Sequence, residues 1–154
     1  MQTGVKMLAN KEYIKTNIIG QKVKDILINQ VEYGEVAVYQ SLLVTENDIA
    51  IDLECVFPDL EITANFTPTD LWKTAFTEYI GMKITNVYWT ESSDSAPFFY
   101  WELNFDSILY YASPIPYTAC PSILSKKEFW DYEGQALTPV LSCSSPGVLG
   151  DAVP

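Results

Sequence analysis

Carboxylates are the one class of side chain abundant enough here to support acid–base chemistry. Twenty Asp and Glu stand against nine lysines, with no arginine and no histidine, giving 154 residues a formal net charge of −11. Without imidazole there is no Ser–His or Cys–His nucleophile pair, no histidine base and no histidine metal ligand. Without guanidinium there is no bidentate phosphate clamp and no arginine finger. What remains for catalysis is a pair of carboxylates sharing a cleft, as in glycoside hydrolysis, with Asp52/Glu54 or Glu102/Asp106 as candidates. Twenty carboxylates bring some pairs together by chance, so no catalytic residue is assigned and the chain is read as a non-enzyme.

Cys55, Cys120 and Cys143 are odd in number and form no C-x-x-C, which reads as free thiols in a reducing compartment. With no histidine beside them, neither a transition metal nor a cofactor is expected. The loop Glu91-Ser92-Ser93-Asp94-Ser95 offers oxygens but lacks the glycine and distal glutamate of a calcium loop. No glycine-rich phosphate loop precedes a helix. The first ten residues lack the apolar stretch of a signal peptide and no apolar run approaches membrane-spanning length, so a cytoplasmic protein with no membrane contact is expected. The acidity repels nucleic acid and favours a basic protein partner.

A stretch that occurs twice bears on the elements holding these residues. Residues 19–28, beginning Ile19-Gly20-Gln21-Lys22, recur as residues 80–89, beginning Ile80-Gly81-Met82-Lys83, a spacing of 61 (81 minus 20). Ahead of the first copy, Asn10 can cap a short helix that Gly20 ends. Ahead of the second, Trp72, Phe76 and Ile80 fall at i, i+4, i+8 after Pro68-Thr69-Asp70, which predicts an amphipathic helix closed by Gly81. After each glycine a strand follows, with the step from Val23 to Ile26 marking a bulge.

Two hairpins come next. Residues 36–44 turn at 45–48 into 49–57, where Ile49, Ile51, Leu53, Cys55 and Phe57 alternate with Ala50, Asp52, Glu54 and Val56; residues 98–105 turn at Asp106-Ser107 into 108–112. The expected fold class is α+β: antiparallel sheet with flanking helices in one domain over 1–133, followed by a Ser/Pro/Gly-rich tail over 134–154. The repeat points to duplicated helix-strand-hairpin units, 10–57 and 71–112, about a pseudo-twofold axis; a chance repeat leaves the class unchanged.

Alternation then places the candidate site. Asp52 and Glu54 on one hairpin, and Tyr100, Glu102 and Asn104 on the other, lie opposite the apolar rows and are expected to face solvent. With Glu91 and Asp94 on the adjoining loop they would form an acidic, aromatic surface for a basic protein. A different class of function places a small molecule in an aromatic pocket between the halves, built from Tyr88, Trp89, Trp101 and Tyr110. In size, acidity and lack of a catalytic set the chain is similar to bacterial immunity proteins and phage-encoded inhibitors, a likeness of composition with no shared motif. It implies an inhibitor or neutraliser. Oligomeric state is not legible in the sequence.

The absence of histidine and the scatter of the cysteines predict that the protein needs no transition metal. Elemental analysis of purified protein should find no stoichiometric zinc, iron or copper; one equivalent of any of them would contradict this.

Overall fold

The computed structural model describes residues 3–33, 36–55, 58–89, 99–115, 118–128 and 138–139. Glu91 and Asp94 therefore lie outside the described residues. The chain is mainly β, a mostly antiparallel sheet with little helix, so it meets the α+β expectation only loosely. In order it runs β1 (Thr3–Ala9), α1 (Lys11–Asn17), β2 (Val23–Tyr33), β3 (Val36–Thr45), β4 (Ala50–Asp52), β5 (Leu60–Thr67) and β6 (Lys73–Thr74). It continues through β7 (Ile84–Trp89), β8 (Phe99–Leu103), β9 (Ser107–Ile115), β10 (Thr118–Ser125) and β11 (Thr138–Pro139).

Hydrogen bonding follows the path β1-β5-β4-β3-β10-β9-β8-β7-β11, with β2 on the other edge of β3 and β6 beyond β2. β3 joins two arms. Its C-terminal half pairs with β4 and its N-terminal residues Ala37 and Val38 pair in parallel with β10. One core serves both arms: Ile26, Leu43, Ile51 and Ile62 pack in the same cluster as Val87, Trp89, Trp101 and Leu109, with Ile14 and Ile18 from the α1 region. Two of the last residues described, Thr138 and Pro139, pair with Trp89 and Tyr88, so this part of the tail belongs to the sheet.

Asn10 caps α1 as expected, its Oδ1 accepting from Tyr13 N–H at 2.8 Å. The second helix is a correction. Residues 73–74 pair with β2, and only a 3-10 turn over Thr77–Tyr79 follows. Two features stop a helix there: Ala75 N–H donates to Ile26 O at 2.8 Å, and Phe76 takes a left-handed φ of 52°. Apolar spacing was right for a helix, but the chain spends its backbone bonds on the edge of β2. The expected strand over 49–57 is also shorter, since the chain turns at Leu53 and Glu54.

The repeated stretches meet each other. Lys22 and Lys83 form an antiparallel bridge, and around it the backbone bonds are reciprocal. Gly20 N–H donates to Ile84 O as Gly81 N–H donates to Val23 O; Ile84 N–H donates to Gln21 O as Val23 N–H donates to Met82 O, all at 2.8 Å. Bulges fall at matching places, between Val23 and Asp25 and between Ile84 and Asn86. Each is closed by its own side chain, Asp25 Oδ1 accepting from Ile26 N–H and Asn86 Oδ1 from Val87 N–H, both at 2.9 Å.

Gly20 and Gly81 hold this junction at φ of 95° and 92°, where nothing crowds a Cβ and the cost of one would be torsional. Gly20→Ala and Gly81→Ala should each cost roughly 1 to 3 kcal/mol. Because both feed the same bridge, urea unfolding of the double variant should show less than the sum. Two losses that simply add would mean the two turns are independent.

Candidate functional site

Pairing register builds the site. Residues directly opposed in an antiparallel ladder project to the same face. Leu42 opposes Asp52, Val44 opposes Ala50, Ala50 opposes Thr63, Thr63 opposes Lys6, and Glu61 opposes Leu8. All therefore share the outer face of the first arm, away from the core that takes Leu43, Ile51 and Ile62. Part of this face is apolar, a cluster of Leu27, Leu42, Val44, Ala50 and Phe66 that runs from β2 to β5 and against which Trp72 packs. β6 brings Trp72 there by pairing with Leu27 and Ile28. The rest carries Asp52, Glu61, Thr63 and Lys6, with Leu8 at its edge.

At the boundary lies a recess of about 170 Å³ lined by Lys6, Gln40, Leu42, Ala50, Asp52, Glu54, Glu61, Ile62, Thr63 and Trp72. A wider hollow of about 660 Å³ adjoins it, sharing Gln40 and Trp72 and extending over Asn29 and 68–71. Asp52 Oδ1 accepts from Glu54 N–H at 2.9 Å, and Glu54 Oε2 accepts from Ser41 N–H at 3.1 Å, so the turn after β4 fixes both acids. Burial first, and then the neighbouring Asp52 charge, push the Glu54 carboxyl from 4.5 up to about 7, against the Ser41 N–H. Burial raises Asp52 as well, opposed by the Glu54 N–H and reinforced by Glu61. Burial, helped by Asp52, pushes the Cys55 thiol up to about 12, which keeps it protonated and a poor nucleophile.

Asp52 and Glu54 are thus brought together, but by the turn after β4 rather than by alternation along a strand, and both are half-buried where full exposure to solvent is expected from the sequence. Tyr100 and Glu102 are not part of that surface. Their expected exposure is corrected: they are 4% and 2% exposed, on the outer face of the second arm, with Tyr88, Ile108, Tyr110 and Leu124. Glu102 Oε2 accepts from Tyr88 Oη at 2.6 Å, its Oε1 from Thr85 Oγ1 at 2.8 Å, and Lys126 Nζ lies 3.2 Å away. Burial and Glu102 hold the Tyr88 phenol well above its ordinary value. This cluster seats the segment after β10, where Ser125 and Glu128 bond reciprocally: Ser125 Oγ accepts from Glu128 N–H at 3.2 Å and donates to Glu128 Oε1 at 2.8 Å. The same burial removes Glu102/Asp106 as an acid–base pair. Asn104 is exposed, in the turn after β8.

The aromatic pocket is also corrected. Trp89 and Trp101 belong to the main core, whereas Tyr88 and Tyr110 pack on the opposite face, so strand alternation divides the four. Sequence reasoning missed Glu61, Lys6, Gln40 and Trp72 as partners of Asp52. The alternation Leu60, Ile62 against Glu61, Thr63 was a usable signal for β5; nothing local assigns Trp72 to this face.

The recess combines anionic oxygens, an apolar floor and an indole wall. Such a site suits an organic cation, above all a guanidinium, which stacks on an aromatic face while forking onto carboxylates. Among the described residues no group of three His, Cys, Asp or Glu is gathered closely enough to hold a metal ion. Among the same residues, no helix is long and apolar enough to cross a membrane. Comparison with protein-family models, with curated proteins and with solved structures finds no match.

The raised Glu54 carboxyl makes stability depend on pH. Its folded value of about 7 exceeds the ordinary 4.5, so the folded state holds the proton more tightly. The contribution is fully present below 4.5 and is lost as pH rises through about 7. Glu54→Gln keeps an acceptor for Ser41 N–H and removes the titration. The variant should match wild type near pH 4 and exceed it near pH 8 by about 1 kcal/mol, a figure discounted for the solvent reaching a half-buried group. Denaturant midpoints at the two pH values measure this; an unchanged difference would contradict it.

Proposed function

We propose that this protein is a non-catalytic acidic binding protein that inhibits or neutralises a basic protein partner, and that the Asp52–Glu54–Glu61 recess receives a cationic side chain of that partner. The observation carrying this reading is the recess itself, where burial and mutual repulsion keep Glu54 at about 7. A cation seated there relieves that repulsion and draws the carboxyl toward its charged form. The net charge of −11 supports the same reading, since it accelerates encounter with a basic surface at low salt. Trp72 supplies the aromatic contact first assigned to Tyr100.

A second reading rests on the same carboxyl. A Glu that stays protonated near neutrality beside Asp52 is the arrangement of a general acid with an anionic companion, so a carboxylate-dependent hydrolase is the alternative. Turnover of glycosides with a pH profile set by Glu54 would favour it over binding.

We also infer that the two Gly-centred stretches descend from one helix-strand-hairpin unit. Reciprocal bonds at the Lys22–Lys83 bridge and the matched bulges support this; the 3-10 turn in place of a second helix counts against it.

Capture from the source cell with wild type and with Asp52→Asn/Glu54→Gln tests the binding role. The expected result is a basic protein held by wild type at low salt, released by added salt, and bound about tenfold or more weakly by the variant. Affinity should climb as pH rises through about 7, where Glu54 ionises. Equal capture by both proteins at all salt concentrations would overturn the role given to the recess.

A further inference from the structure

β1 lies at one end of the sheet and, among the described residues, pairs only with β5. Among the described residues no strand meets the backbone donors and acceptors of its other edge, the template for strand addition. Its side chains are unusual for such an edge. Val5 and Leu8 are each 61% exposed and Met7 is 38% exposed, three of the six large exposed hydrophobics of the described chain. A shallow groove of about 290 Å³ runs between this strand and α1, lined by Met7, Leu8, Tyr13 and Thr16 among others. Gly4 keeps β1 tight on β5: at φ of 136° a Cβ there would meet Thr63 Cγ2 and come within 2.6 Å of Ala64 O.

The neighbouring charges say what the edge suits. Leu8 opposes Glu61 and Lys6 opposes Thr63, so both project onto the face that holds the acidic recess. Leu8 stands between the free edge and Glu61. An added strand lies one spacing, about 4.8 Å, from Leu8, and Glu61 lies one spacing further. A lysine or arginine on that strand would lay its methylene stem over Leu8 and set its charge at Glu61, which gives an exposed leucine beside a glutamate a purpose. A second copy of the chain fits poorly. The net charge of −11 repels it.

We propose that the free edge of β1 docks an extended segment of the basic partner, which adds a strand to the sheet with apolar side chains toward Val5 and Met7 and basic side chains toward Leu8 and Glu61. This rests on the binding role proposed above and extends it from one recess to a surface that includes a sheet edge.

The probe is a capped octapeptide alternating valine and threonine with a single arginine in place of one threonine, with two controls: one with glutamate in place of that arginine, and one N-methylated on the amides of a single edge. Amide hydrogen exchange of the full chain reads strand addition directly. The arginine peptide should protect amides of residues 5–9 of β1, the glutamate peptide should not, and N-methylation should weaken binding by about tenfold or more. Leu8→Ser and Glu61→Gln should each weaken it several-fold while leaving the fold intact.

Binding that ignores N-methylation and Leu8→Ser but fails in Asp52→Asn/Glu54→Gln would overturn the edge and leave the recess standing. The reverse pattern would keep the edge and remove the recess. Concentration-dependent dimerisation abolished by Leu8→Ser would assign the edge to a second copy and overturn the proposal.

Discussion

The register that joins β3, β4, β5 and β1 is the constraint on which the rest depends. Side chains in a strand alternate between faces, so a slip of one residue would exchange every inward and outward position. In the observed register Leu43, Ile51 and Ile62 enter the core while Leu42, Asp52, Glu61 and Lys6 share the opposite face. Core burial and the gathering of carboxylates are therefore one event. The apolar side fixes the register because it removes far more surface from water than the acids could resist through their mutual repulsion. Asp52 shares a face with Glu61 as a consequence, the turn after β4 adds Glu54 to them, and Glu54 bears the cost as a raised carboxyl.

The second arm resolves the same problem differently. Its outer face also carries an acid, Glu102, but here the face is covered and the charge is matched by Lys126 and by hydroxyls of Tyr88 and Thr85. A buried pair of this kind gives little net stability, yet losing one partner leaves a charge stranded, so the cluster holds the segment after β10 in one place. One acidic face is thus consumed in packing and the other is left open beside Trp72.

Much of this was legible in the sequence, and the failures have particular causes. Glycine punctuation and a strand bulge were readable because Gly20, Gly81 and the step from Val23 to Ile26 are local signals. Alternation correctly placed Tyr100 and Glu102 on one side and Phe99, Trp101 and Leu103 on the other. What alternation cannot say is which face is covered, since Leu124 and Lys126 arrive from β10 and the segment that follows it. Residues 72–80 misled for a related reason: their apolar spacing is helical, but β2 offers an edge that captures Lys73 and Thr74. Trp72 reaches the recess by that long-range pairing alone.

Titration of Glu54 tests the account most directly, because open acidity under partial burial is its central claim. The side-chain carboxyl carbon can be followed by NMR from about pH 4 to about pH 9, in the free protein and with saturating N-acetyl-arginine methylamide. The account predicts a midpoint at about 7 in the free protein, falling when the guanidinium is present. A midpoint near 4.5 that the arginine derivative leaves unmoved would contradict it.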